Sequence, residues 1–400
     1  MDRIYLDNNA TTRTDPAVVA AMLPYFTEQF GNCSSAHAFG AAAADGVRRA
    51  RRQLQALLGA AAEQEIVFTS GGTESDQAAI LSALATQAGR DEVVTSAVEH
   101  PAVLTLLGHI EKSRGIKVHR IGVDARGRLD DEAFERSLGP RTALVSIMWA
   151  NNETGTIFPV ARLAQQAHDA GALFHTDAVQ AAGKIPLDLA ATEIDMLSLS
   201  GHKLHGPKGI GALYLRKGVK FQPLIRGGQQ ERGRRGGTEN VPGIVGLGEA
   251  AERAHAALAT AWQRVRGLRD RLETELLRRI GHCRVNGDTC DRLPNTTNLA
   301  FDYLDGEAIL VHLDRAGIAA SSGSACTSGS TEPSHVLRAM GLPPIALQGA
   351  IRLSLSRETT SDEIERVASV LPGIIERVRA NSPLWQERAA GKFAGVPSYV

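Results

Sequence analysis

The 400-residue chain is poor in aromatic side chains, at 4% of positions, and no apolar run in it approaches the length of a bilayer span. So few aromatics leave little with which to stack nucleobases. The 44 basic residues equal the 44 acidic ones, and no net field draws the chain to nucleic acid or to an anionic membrane. Cysteine is scarce as well: Cys33, Cys283, Cys290 and Cys326 form no C-x-x-C pair and no zinc spacing. These absences argue against a nucleic-acid binder, a membrane protein and a disulfide-built scaffold. The first residues, MDRIYLD, show neither a basic-plus-apolar leader nor an Arg/Ser-rich transit pattern, so a cytoplasmic location is expected.

What is present is ordinary for a globular enzyme, with 43% apolar and 22% charged residues. The length suggests two domains, one large enough to bury a wide sheet. Apolar runs beginning at Glu65, Glu92, Lys117, Thr142, Ala172, Met196 and Gly211 read as buried strands. Stretches of helical spacing, such as Ser75 to Leu84 and Val160 to Ala170, separate most of them. This alternation calls for a largely parallel α/β sheet covered on both faces, with ligands at the carboxyl ends of the strands. From about Pro242 to Ile280 the chain predicts one long helix, followed by a smaller α+β region.

Chemistry concentrates in a few segments. Lys203 lies in Ser198–Gly209 (SLSGHKLHGPKG), after an apolar run, where an amine suits imine formation with an aldehyde cofactor. Ser200 and His202 flank it as possible phosphate donors. In His175–Gln180 (HTDAVQ), Asp177 ends a short apolar run, as a carboxylate facing a pyridinium nitrogen should. Cys326 stands alone in a Ser/Gly/Thr-rich stretch that reads as a mobile loop. Lysine, aspartate and mobile cysteine together point to pyridoxal phosphate (PLP) chemistry on sulfur.

Other segments are read two ways. Gly72 and Thr73 (TSGGTES) offer a phosphate-binding helix start, or a plain capped one. His100 (VEHPA) could stack on a cofactor ring and move protons, or serve structure alone. Asn152 (WANNETG) could reach a cofactor or a substrate carboxylate, or only make a turn. Gln229–Asn240 (QQERGRRGGTEN) is either a solvated loop or a phosphate-binding arm using Thr238. Arg352, between apolar neighbours, is either in a structural ion pair or held for a carboxylate ligand. Cys33, Cys283 and Cys290 have no catalytic neighbours in sequence.

Together with YLDNNATT at Tyr5–Thr12 and FGNCSSAH at Phe30–His37, these segments resemble the cysteine desulfurases of aminotransferase class V. The resemblance runs from about Tyr5 past Arg357. MWANNETG and QERGRR resemble the nitrogen-fixation type (NifS) more than the housekeeping type (IscS); Cys33 departs from the family's usual proline. The implied fold is that of fold-type I PLP enzymes, with a mostly parallel seven-stranded sheet in a large domain and a smaller C-terminal α+β domain. The implied boundaries are an N-terminal segment 1–16, a large domain 17–257, and a small domain 258–400 carrying a mobile catalytic-cysteine loop at about 321–348.

The resemblance also implies roles. Lys203 would hold PLP and later move protons; Asp177 would face the ring nitrogen; His100 would stack on the ring; Gln180 would bond the phenolic oxygen. Gly72, Thr73, Ser200 and His202 would bind the phosphate, joined by Thr238 from the other subunit of a homodimer. Asn152 and Arg352 would hold the carboxylate of L-cysteine. Cys326 would take the sulfur as a persulfide, leaving L-alanine. It would pass the sulfur to an iron–sulfur scaffold or other acceptor protein, where it could briefly ligate the cluster. The alternatives are a housekeeping desulfurase, a selenocysteine lyase, an aminotransferase or a non-enzymatic cluster scaffold. A scaffold usually supplies several cysteine or histidine ligands, and here one thiol is well placed.

Overall fold

The computed structural model describes residues 3–322 and 333–391. Its strands are β1 (Ile4–Tyr5), β2 (Ile66–Thr69), β3 (Glu92–Ser96), β4 (Lys117–Ile121), β5 (Thr142–Ser146) and β6 (Leu173–Asp177). They continue with β7 (Met196–Ser200), β8 (Gly211–Leu215), β9 (Cys283–Asn286), β10 (Thr296–Phe301), β11 (Ile318–Ala319) and β12 (Ala350–Ser354). Among the described residues the main sheet has seven strands in the order β2-β8-β7-β6-β5-β3-β4. Only β8 runs antiparallel to its neighbours. Strands such as β5 and β7 are buried along their whole length because helices cover both faces, which is why they read as unbroken apolar runs.

On one flank the helix Ala38–Leu58 packs against Val241–Ala257 through small residues. The approach is close: a Cβ on Gly248 would stand 2.5 Å from Ala50 Cα. A second apolar core joins Ile4 and Leu6 to Trp262, Phe301, Leu353 and Ile375. It lies among β9, β10, β12 and the helices Ala261–Arg279 and Ser361–Asn381. The amino-terminal segment is tied there by β1 pairing in parallel with β11.

Two expectations are corrected. The long helix from Pro242 to Ile280 is two helices, Val241–Ala257 and Ala261–Arg279, broken at Leu258–Thr260. The first buries its apolar face against the main core. The second must turn to seat Trp262, whose Nε1 donates to Gly183 O at 2.6 Å, and to bury Val265 in the other core. The part of the expected cysteine loop that is described from 333 onward is not irregular. Residues 333–348 hold the short helices His335–Ala339 and Pro344–Leu347, and Val336, Leu337 and Met340 are buried in the main core. Cys326 lies outside the described residues.

Candidate active site

Five strand ends of the main sheet converge. After β2, the helix Gly72–Thr86 begins with no side chain capping its first turn. The helix start sits tight against its surroundings, since a Cβ on Gly72 would lie 2.9 Å from Val179 Cγ2. After β3, His100 Nδ1 accepts from Ala102 N–H at 3.1 Å and caps the helix Pro101–Arg114. That bond requires an unprotonated Nδ1, so the ring carries its proton on Nε2. After β5, Asn151 takes the turn: its Oδ1 accepts from Glu153 and Thr154 N–H, and its Nδ2 donates to Val98 O. The side chain of Asn152 is thereby left to face the cavity. β6 ends on Asp177, which accepts from Val179 N–H at 2.9 Å. β7 ends on Ser200, and the next turn carries His202 and Lys203.

Of the sequence-predicted site residues that are described, all except Thr238 line one cavity of about 270 Å³. Thr238 is exposed on its loop, outside the cavity of its own chain. That loop is pinned rather than solvated. Arg235 pairs with Glu74 at 3.1 Å, and buried Glu231 receives Arg51 at 2.7 Å.

Lys203 Nζ donates to Asn9 O at 2.5 Å and Ala10 O at 2.6 Å. Arg352 is in the structural ion pair that one of its two readings expects: it is 2% exposed and pairs with Asp7 at 2.8 Å. It also lines the cavity, and its buried Nε has no hydrogen-bond partner among the described residues. Burial raises the Asp177 carboxyl, opposed by His100, the Val179 N–H and Lys203. Burial lowers His100, with Lys203 and His335 adding to the effect and Asp177 opposing it. His202 falls to about 4, through burial first and then the neighbouring Lys203 and Lys208. Both imidazoles are therefore neutral near pH 7 and able to donate one N–H each.

Sequence reasoning missed Asp76, which sits on the same wall. Its Oδ1 has no hydrogen-bond partner, with His175 Nε2 3.6 Å away. Burial, then the charge of Asp177, pushes the Asp76 carboxyl well above the usual range. The helix carrying Asp76 is buried on more than one side and gives little polar–apolar alternation to mark it. Of the thiols outside the cavity, Cys33 is pushed up to about 11 and Cys283 to about 12, mainly by burial, so neither offers a thiolate.

A helix start with uncapped amides, beside a serine and a neutral histidine, suits a phosphate. A buried aspartate that accepts from a backbone N–H beside the cavity suits a ring nitrogen that must stay protonated. These donors, at the carboxyl ends of a mostly parallel sheet, fit PLP, and the class they define is that of fold-type I PLP enzymes. The family profile described as aminotransferase class-V matches residues 4–367. A cysteine desulfurase of Gluconacetobacter diazotrophicus is 67% identical over 400 residues, covering 100% of both chains. The cysteine desulfurase NifS of Azotobacter vinelandii is 57% identical, covering 96% of each chain. A solved structure titled NifS-like protein superposes with a TM-score of 0.88 at 39% identity, covering 94% of this chain and 100% of its own. The chain belongs to the aminotransferase class V family and, within it, to the PLP-dependent cysteine desulfurases.

Proposed function

We propose that this chain removes sulfur from L-cysteine, releasing L-alanine and holding the sulfur as a persulfide on Cys326. The supporting observation is the convergence of Lys203, Asp177, His100 and Arg352 on one cavity. Bound PLP supplies an electron sink for charge developing at the substrate Cα. Asp177 provides the anion that keeps the ring nitrogen protonated. The amides of Gly72 and Thr73, with Ser200 and His202, bind the phosphate. Arg352 and Asn152 hold the substrate carboxylate. Lys203 Nζ carries the proton to and from Cα, and His100 offers an apolar ring face and an Nε2 proton beside it. The thiolate of Cys326 attacks the substrate sulfur. The new S–S bond forms as Cβ–S breaks, and the electron pair left on carbon is protonated. The net change converts L-cysteine and a protein thiol to L-alanine and a protein persulfide.

The same reading includes a homodimer in the cytoplasm, with Thr238 completing the phosphate site of a second copy. It is supported by exposed apolar side chains, Leu23, Phe26, Phe30 and Phe39, each more than half exposed, of which the Phe30 and Phe39 rings are 5.5 Å apart. It divides the chain into the segment 1–16, a large domain 17–257 and a small domain 258–400; the support is a core that joins Ile4 and Leu6 to residues from Trp262 onward. It also makes the sulfur acceptor a separate protein, an iron–sulfur scaffold of the nitrogen-fixation system, which Cys326 could briefly ligate.

The test mixes the purified PLP-loaded chain with L-cysteine and a reductant and quantifies products. Equal alanine and sulfide without a keto acid are expected, and none from Lys203→Ala. Alanine formed only when a keto acid is supplied would favour the aminotransferase reading instead.

A further inference from the structure

Lys184 has no part in the mechanism above, yet it is among the most enclosed charged residues of the molecule, at 4% exposure. Its Nζ lies 2.7 Å from Gln180 Oε1 and 3.3 Å from Asn9 Oδ1. No carboxylate is among these partners, and burial, then the charges of Lys203 and Arg352, pushes the amine well below its ordinary value. An amine so costly to bury is kept for what it orders around it.

We infer that Lys184 is a positioning residue: its buried amine fixes the Gln180 side chain with the carboxamide oxygen turned away from the cavity and an amide N–H turned toward it. Both partners of Lys184 are acceptor oxygens, so the amine donates to them whether or not it is charged. Gln180 must therefore meet it through Oε1. Its Nε2 then donates to Asn9 O at 3.0 Å, which leaves the second N–H for the cavity that Gln180 lines. Asn9 is fixed by the same logic. Its Oδ1 accepts from Lys184 and from Asn295 Nδ2 at 3.0 Å, and its Nδ2 donates to Thr296 Oγ1 at 2.8 Å. Asn9 also supplies the carbonyl that receives Lys203. A carboxamide held this way offers the cofactor ring a donor, selecting an anionic ring oxygen. Left unfixed, it could turn its oxygen there and repel that charge.

This inference rests on the assignment of the cavity to PLP, and the test keeps the two apart. Purified PLP-loaded enzyme is titrated with pH, and the visible band of the cofactor joined to Lys203 is followed. Lys203, Arg352, Asp177 and His100 stay in place in every variant. Wild type without such a band would refute the cofactor assignment itself. Lys184→Met is expected to raise the midpoint of the spectral change by about one unit, because the ring oxygen loses its oriented donor. Lys184→Gln, which keeps an N–H donor without charge, is expected to bring the midpoint back toward wild type. In a Gln180→Leu background, Lys184→Met should add no further shift, because the effect runs through Gln180. An unchanged midpoint in Lys184→Met, or the same shift with and without Gln180, would overturn the inference. Lys184→Ala provides the same comparison should Lys184→Met fail to fold.

Discussion

His100 carries two loads that substitution can separate. Its Nδ1 caps the helix Pro101–Arg114, and its ring lines the cavity. Asparagine is a good cap without an imidazole, so His100→Asn should keep thermal stability and lose turnover by roughly 10²-fold. His100→Ala should lose the same activity and about 1 kcal/mol of stability besides. Melting curves with kcat for both variants check this, and equal stability in the two would contradict the capping role. The neighbouring Glu99 makes a pH prediction. Burial pushes its carboxyl up to about 8 from the ordinary 4.5, despite bonds from Ser96 Oγ and Met148 N–H. Between those two values the folded state binds more protons than the unfolded one, so this residue's contribution makes stability fall as pH rises through the interval. Glu99→Gln should match wild type below about pH 4.5 and become progressively more stable than it as pH rises through the interval, by on the order of 4 kcal/mol above about pH 8, measured by denaturant unfolding at each pH. Most of these site residues were legible in the sequence because each sits where a buried run ends. Lys184 and Asp76 were not. Lys184 is buried by Asn9 from one end of the chain and packs near Leu355 from the other, and local pattern carries nothing of that closure.

Among the elements, the main-sheet strands were readable because burial on both faces demands unbroken apolar runs. The break at Leu258–Thr260 was not, because those residues include no glycine or proline and the turn is imposed by where Trp262 must go. For the segment Gln230–Gly233 the sequence left two readings open, and the structure argues against the solvated one. Its charges suggest solvation, but Glu231 and Arg232 adopt left-handed backbone and Glu231 is driven inward to meet Arg51. Glu231 also accepts from Phe68 N–H at 3.1 Å, so this pair ties the arm that carries Thr238 to strand β2. Arg51→Met should leave that carboxylate buried and unpaired, at a cost of about 3–5 kcal/mol. Urea unfolding measures the loss, and trypsin should cut faster between Arg232 and Arg235. Unchanged cleavage would mean that the ion pair does not hold the arm.

For the whole molecule, strand ends of the main sheet supply most of the cavity wall, Arg352 reaches the same cavity from β12 with Asp7 paired to it, and Phe26, Phe30 and Phe39 are left exposed. Phe30→Asp combined with Phe39→Asp should give a monomer in sedimentation, with activity down by at least roughly 10²-fold because the phosphate site lacks Thr238. A wild-type chain that sediments as a fully active monomer would refute the shared site. The central claim concerns Cys326, and its most direct test is mass spectrometry of the PLP-loaded enzyme after brief exposure to L-cysteine. One additional sulfur on the peptide containing Cys326, and none on those with Cys33, Cys283 or Cys290, is the expected result. Cys326→Ala should still bind L-cysteine and exchange its Cα proton while forming almost no alanine. Persulfide on another cysteine, with full turnover in Cys326→Ala, would contradict the account.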